Sequence, residues 1–347
     1  MSIVRALGVP SFLPPYLLEH LQRSGDARLQ VCVRDTLLDD RHFRARGGTT
    51  RLPSPSAQRG QPARYIHSAE QQRTLPGRLV RREGQEETSD PAVDEAYRWL
   101  GATYRFFWEV FGRHSIDDRG MALLGTVHYG RHYENAFWDG SQMVFGDGDG
   151  EVFNRFTRSL EVVAHELTHG VIERDASLTY QGQSGALNES FADVFGSLVK
   201  QYDRGQTVEE ADWLIGAELF TDRVNGRAMR SMSNPGSAYD DPLLGRDPQP
   251  GHMEDFVETQ EDNGGVHINS GIPNRAFYLV ATALGGYAWK EAGQLWYDAL
   301  HDARLAQNDD FPSFAELTIT IAGERPGSGN QLEQAVVDAW RTVGVVP

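Results

Sequence analysis

Two histidines four residues apart with a glutamate beside the first, His165-Glu166-Leu167-Thr168-His169, constrain this chain more than any other feature. They lie in residues 159–172, where Leu160, Val163, Ala164, Leu167 and Val171 recur at helical spacing. That pattern predicts a helix with one buried face. On a helix, positions i and i+4 stack on the same face. Two imidazoles so placed can hold one zinc ion, and Glu166 is close enough to take a proton from a water held there. Taken alone, the five residues also fit a helix that happens to carry two histidines.

A catalytic zinc site takes three protein ligands and leaves one position for water. Asn188-Glu189-Ser190-Phe191-Ala192-Asp193 offers the third ligand in Glu189, 20 residues after His169. That distance leaves room for a turn and a second helix, predicted over residues 186–201 after the breakers Gly182 and Gly185. Asp193 falls on the same helical face as Glu189 and can accept the free ring N–H of a ligand histidine. Phe191, Val194, Phe195 and Leu198 make this helix largely apolar, so two carboxylates on it call for a reason.

Together the two motifs resemble the thermolysin-like zinc metalloproteases. Further motifs agree in order: Asn135-Ala136-Phe137-Trp138, residues 143–150 (MVFGDGDG), Arg230-Ser231-Met232-Ser233, and residues 262–271 (DNGGVHINSG). The resemblance covers residues 75–347, and Pro14-Pro15-Tyr16-Leu17-Leu18 resembles the short pro-segment of the protealysin branch. It implies an α+β fold with a β-rich N-terminal subdomain, a helical C-terminal subdomain and the zinc site between them. Residues 1–60 would be an inhibitory pro-segment and linker, residues 61–185 the first catalytic subdomain, and residues 186–347 the second.

The activity implied is zinc-dependent hydrolysis of internal peptide bonds. Glu166 would act as general base and later protonate the leaving amine. His267 and Tyr180 match the family's oxyanion donors, and Asp262 matches the residue that orients His267. Backbone groups of Asn135 and Ala136 would add the substrate as an edge strand, and Arg230 would grip a substrate carbonyl. Phe153, Phe156, Val162, Ile215, Leu219 and Met229 map to the pocket for the side chain after the cut. All are apolar, so a large apolar residue is expected there. Selectivity would be broad, because one methylene in such a pocket is worth only about 1–3 kcal/mol.

At one site the chain departs from the family, whose members commonly hold two calcium ions beside the zinc helices. Glu161 and Asp212 keep an acid, but Lys200 stands at another position, Leu214 and Ala217 at two more, and Arg227 where an acid is expected. Calcium needs six to eight oxygen ligands, and an ammonium offers none. The expectation is that Lys200 places its own charge among Glu161 and Asp212, which makes calcium doubtful. One weak calcium held by backbone carbonyls is the alternative.

A net charge of −16 argues against nucleic acid as a partner. The expected partners are protein and peptide substrates and the chain's own pro-segment, with the protein a monomer. Residues 1–65 hold 10 arginines against 5 acids, a net of +5, whereas the remainder has a net of −21. A basic leader on an acidic body suits an intramolecular lid. Residues 47–62, rich in Gly, Pro, Ser and Thr, read as a cleavable linker. No apolar run is long enough to span a membrane, and no secretory signal pattern is evident. The expected compartment is therefore the cytoplasm, or the exterior by a leaderless route. Cys32 reads as a small buried hydrophobe, with capping of the zinc as the alternative.

Two rival functions fit the sequence less well. An aminopeptidase would carry Gly-x-Met-Glu-Asn upstream of the zinc helix; Gly251-His252-Met253-Glu254-Asp255 ends differently and lies downstream. An inactive zinc-bearing relative acting as a binding protein would have lost Glu166, Tyr180 or His267, and all three are present. Other elements predicted are one or two short helices over residues 17–38, strands at 78–82, 123–129 and 141–145, and a helix capped by Asp90 running to 111. A turn is predicted at 147–150, and further helices at 274–284, 288–305, 314–322 and 332–343.

Overall fold

The structure, a computed structural model, describes residues 11–46, 57–325 and 329–347. Most of the expected linker, residues 47–56, lies outside the described residues. Helices α1 (Pro15–Gln22) and α2 (Ala27–Arg46) form a hairpin near the N-terminus. Pro15 sits at the first position of α1, where its missing N–H costs nothing. Leu17, Leu18, Leu21, Leu29 and Val33 bury the hairpin's apolar side.

The catalytic body begins with β1 (Arg64–Ser68), β2 (Arg78–Arg82), α3 (Pro91–Phe111), β3 (Leu123–Val127), β4 (Ala136–Trp138) and β5 (Met143–Phe145). The sheet order is β2-β1-β3-β5-β4, with β3 parallel to both neighbours and β4 antiparallel to β5. β3 is buried along its whole length, as a central parallel strand should be. It ends at Val127, two residues short of the expected end, because His128 turns the chain with a φ of 55°. The strand expected from 141 starts at Met143: Ser141 and Gln142 instead donate their N–H groups to Asp139 Oδ1, at 2.8 and 2.9 Å, in a turn. Asp90 caps α3 by accepting from Ala92 N at 3.0 Å. The turn at 147–150 is bound by Asp149 Oδ1, which accepts three successive N–H groups from Glu151, Val152 and Phe153.

Next come α4 (Leu160–Asp175), α5 (Gly182–Arg204), the short strands β6 (Leu214–Ile215) and β7 (Arg230–Ser231), and α6 (Asp262–Asn269) to α10 (Gly329–Thr342). Between those last two lie α7 (Gly271–Leu284), α8 (Ala292–His301) and α9 (Phe311–Glu324). α4 packs against α3, β4 and α5, which places it between the sheet and the helical half. α5 starts at Gly182, earlier than expected, and the supposed breaker Gly185 lies inside it. Gly185 serves close packing: a Cβ there would fall 2.4 Å from Val266 Cγ1. Gly196 does the same for the α4–α5 crossing, where a Cβ would lie 2.8 Å from Glu161 O. Residues 262–269 form α6, an element not predicted from sequence. It opens with Asn263, Gly264 and Gly265 at φ of 51°, 83° and 76°, then turns helical through His267.

α2 is fastened to the segment leading into β4. Thr36 Oγ1 accepts from Glu134 N at 2.8 Å, and Tyr133 Oη donates to Asp40 Oδ1 at 2.7 Å. Cys32 lies buried on α2, its thiol pushed up to about 12 by burial and by Glu134, so its neighbour is a carboxylate. At the other end of the linker, Ala57 N donates to Gly120 O at 2.8 Å, which attaches residue 57 to the catalytic body.

His128 ties the N-cap of α3 to the turn after β5. Its Nδ1 lies 2.8 Å from Asp147 Oδ1 and its Nε2 2.8 Å from Asp90 Oδ2. Asp147 first, then Asp90, raise its pKa from 6.5 to about 9 against the effect of burial. The folded value exceeds the unfolded one, so this stabilisation is full below pH 6.5 and fades as pH rises through about 9. His128→Gln should therefore lower Tm clearly at pH 6 and little at pH 10. A pH-independent difference would contradict this linkage.

Candidate metal centre and active site

Helical spacing on α4 and the close α4–α5 crossing bring the expected ligands together in the buried interior. His165 and His169 face each other with Nε2 atoms 3.1 Å apart. Glu189 Oε2 lies 3.4 Å from His165 Nε2, and its Oε1 3.5 Å from His169 Nε2. In a tetrahedral zinc site with ligands about 2.0–2.1 Å from the metal, donor atoms stand about 3.3 Å apart. The spacing of these three side chains fits one such ion. Glu166 also brings an oxygen within 4.8 Å of the two histidines, so proximity alone offers two carboxylates. Only Glu189 has oxygens directed at both imidazoles at near-ligand spacing.

Each imidazole is oriented from behind. His165 Nδ1 lies 2.8 Å from Asp193 Oδ1, and His169 Nδ1 lies 2.8 Å from Asn188 Oδ1. These contacts turn both Nε2 atoms inward. Asp193 also accepts from Arg230 Nε and Nη2, each at 2.8 Å, and from Asn274 Nδ2 at 2.9 Å. Burial opposes its charge, but Arg230 and His165 hold it down to about 2. Arg230, expected at the substrate, is thus first an ion-pair partner of Asp193. Asn188 and Asn274 were not singled out from sequence. Asn188 precedes Glu189 in the motif, which was its only signal; Asn274 had none.

Glu166 is fully buried; its Oε2 accepts from Trp138 N at 3.1 Å, and its Oε1 has no hydrogen-bond partner among the described residues. Burial pushes its carboxyl up to about 8. Glu189 Oε2 is likewise buried with no hydrogen-bond partner among the described residues. Two such acceptors beside paired imidazoles form a pocket suited to a cation. On its far side, His267 Nδ1 lies 2.6 Å from Asp262 Oδ1, and His267 Nε2 lies 3.4 Å from Tyr180 Oη. The Tyr180 hydroxyl donates to Glu189. Burial works against a charged His267, yet Asp262 and Glu189 raise its pKa.

The segment Ser11–Phe12–Leu13 lies along the edge strand β4. Ser11 bridges Phe137 in antiparallel fashion, and Phe12 N donates to Ala136 O at 3.0 Å. Leu13 N donates to Asn135 Oδ1 at 2.8 Å. The motif Pro14-Pro15-Tyr16-Leu17-Leu18 follows directly on this segment, with Pro14 as the N-cap of α1. The apolar residues Phe153, Phe156, Val162, Ile215, Leu219 and Met229 are all buried, as is Phe12.

Lys200 Nζ lies 3.2 Å from Glu161 Oε1, 3.0 Å from Asp212 Oδ1 and 3.2 Å from Leu214 O. Arg227 N donates to Ala238 O. Residues 251–255 are held against the C-terminal segment, where Met253 N donates to Val343 O; they do not join this centre.

Comparison with known proteins agrees with this geometry. The thermolysin metallopeptidase catalytic-domain model matches residues 50–173, and the model of its alpha-helical domain matches residues 176–345. An extracellular metalloprotease of Pectobacterium carotovorum subsp. carotovorum is 56% identical over 335 residues, 96% of each chain. The extracellular minor metalloprotease of Serratia marcescens is 40% identical over 95% of this chain and 94% of its own. Among solved structures, the precursor of protealysin, a metalloproteinase from Serratia proteamaculans, matches with a TM-score of 0.90 at 53% identity. That match covers 97% of this chain and 100% of the other. Fold and site thus define a metalloendopeptidase with an α+β, two-subdomain architecture. The chain belongs to the thermolysin metallopeptidase family and is protealysin-like within it. Among the described residues, no helix is long and apolar enough to cross a membrane.

Proposed function

We propose that this protein is a zinc endopeptidase made with an inhibitory leader, and that His165, His169 and Glu189 hold the metal. The observation that carries this reading is the near-tetrahedral spacing of their donor atoms, 3.1, 3.4 and 3.5 Å. Zinc, when bound, supplies a Lewis acid and makes hydroxide available near neutral pH. Glu166 takes the proton of the attacking water on Oε1, its open oxygen, and later delivers it to the leaving amine. A dication nearby favours the ionised carboxylate that this role requires. His267 donates from Nε2 to the carbonyl under attack, held in place by Asp262, and Tyr180 adds its hydroxyl as the oxyanion forms. Asp193 and Asn188 keep the ligand histidines in one tautomer. Asn135 and Ala136 bind substrate backbone, and Arg230 contacts the carbonyl after the cut. The pocket of Phe153, Phe156, Val162, Ile215, Leu219 and Met229 receives a large apolar side chain. A zinc chelator should abolish cleavage of a blocked internal peptide; unchanged cleavage would contradict the metal assignment.

Residues 1–60 act as the leader and linker, with residues 61–185 and 186–347 as the two catalytic subdomains. The cut that frees the body falls before Ala57, because Ala57 is already bonded to it. Relatives named extracellular support export of this chain as well.

Lys200 stands in for a calcium ion between Glu161 and Asp212. A calcium-selective chelator should accordingly leave activity and Tm nearly unchanged. A large fall in Tm on removing calcium alone would overturn this.

A further inference from the structure

We propose that the enzyme cleaves its own leader between Ser11 and Phe12. This rests on the reading of the site above and goes beyond it by naming a bond. Four successive groups of the leader meet the residues assigned to a substrate, each in order. Ser11 O lies 3.1 Å from His267 Nε2, the donor for a carbonyl under attack. Phe12 N donates to Ala136 O at 3.0 Å on the edge strand. Phe12 O accepts from Arg230 Nη1 at 3.5 Å, and Leu13 N donates to Asn135 Oδ1 at 2.8 Å.

The side chain after the bond is the one the pocket is built for. Phe12 is fully buried, its ring edge-on to His165 at 5.3 Å with the Arg230 guanidinium 4.5 Å from its centroid. Phe12 Cζ lies 3.2 Å, and Met229 Cγ 2.9 Å, from where a Cβ on Gly216 would stand. A leader that merely plugged the cleft needs no such register, since Leu17, Leu18 and Leu21 already anchor it. In the step itself, the water oxygen bonds to the Ser11 carbonyl carbon and Glu166 takes the proton. The Ser11 C–Phe12 N bond breaks, and that proton passes to the Phe12 nitrogen. The immediate products are a carboxylic acid on Ser11 and an amine on Phe12, and passage of the acid's proton to that amine leaves a carboxylate and an ammonium. Residues up to Ser11 can then leave, while α1 and α2 keep the rest docked.

The test is a time course of the full chain with zinc, read by intact mass and N-terminal analysis. A blocked internal peptide and a synthetic peptide of residues 7–18 are assayed in parallel. The expected result is a species starting at Phe12, absent from Glu166→Ala and slowed about tenfold or more in Phe12→Asp, whose charge the apolar pocket rejects. In Glu166→Ala, adding Phe12→Asp should also speed hydrogen exchange at the amides of residues 12 and 13. Unchanged exchange would mean that Phe12 does not seat in the cleft and would overturn the proposal. An active, processed enzyme whose released leader still carries an intact Ser11–Phe12 bond would also overturn it, whether or not the synthetic peptide is cut, and would leave the protease reading standing. No activity on any substrate would overturn both.

Discussion

Glu166→Ala is expected to lower cleavage of a blocked internal peptide by about 10²–10⁴, the usual cost of losing a general base. Zinc content should stay at that of the wild type. Glu166 Oε2 is tied to the Trp138 backbone, while Oε1 has no hydrogen-bond partner among the described residues. The two histidines and Glu189 face one another directly, with Glu166 in none of these three contacts. Steady-state kinetics together with metal analysis check both halves. Activity within about tenfold of wild type would contradict the role, and loss of zinc would make Glu166 a ligand.

Lys200→Met should destabilise the protein by about 3–5 kcal/mol, the range for removing one partner of a buried ion pair. Lys200 is 3% exposed and Glu161 is fully buried. Glu161 Oε1 accepts from Lys200 Nζ and from Gly216 N, each at 3.2 Å, and its Oε2 has no hydrogen-bond partner among the described residues. Without the ammonium, that carboxylate is left charged in the interior, at the crossing of the two helices that carry the metal site. Asp212, with 38% of its side chain exposed, is screened by water and contributes little. Thermal unfolding of Lys200→Met, alone and with Glu161→Gln, measures this. The second change should restore part of the loss. A single-mutant effect below about 1 kcal/mol, the value of an exposed pair, would contradict it.

What was legible in the sequence follows physical range. The histidine pair needed only the spacing of one helix, and Glu189 needed a second motif of the same kind. Asp193 followed from its position four residues beyond Glu189. The true start of α5 was not legible, because Gly185 reads as a breaker until Val266 is seen against it. Likewise α6 was not legible as a helix, since four residues of positive φ, Asp262 to Gly265, precede its helical turn. β1 was missed because Arg64 and His67 interrupt its apolar character and its burial alternates only in part. Pro14 to Leu18 carry the recognisable motif, whereas Ser11 to Leu13 carry the contacts, which depend on the β4 edge 120 and more residues away in the chain.

On the function proposed above, a zinc endopeptidase is held silent by its own leader in the cleft. This is tested most directly by following hydrolysis of a blocked internal peptide while mass spectrometry reads leader loss in the same sample. Activity should be near zero while the chain is intact, rise in proportion to leader loss, and vanish with a zinc chelator. Full activity from intact chains, or none after complete leader loss with zinc bound, would contradict the account.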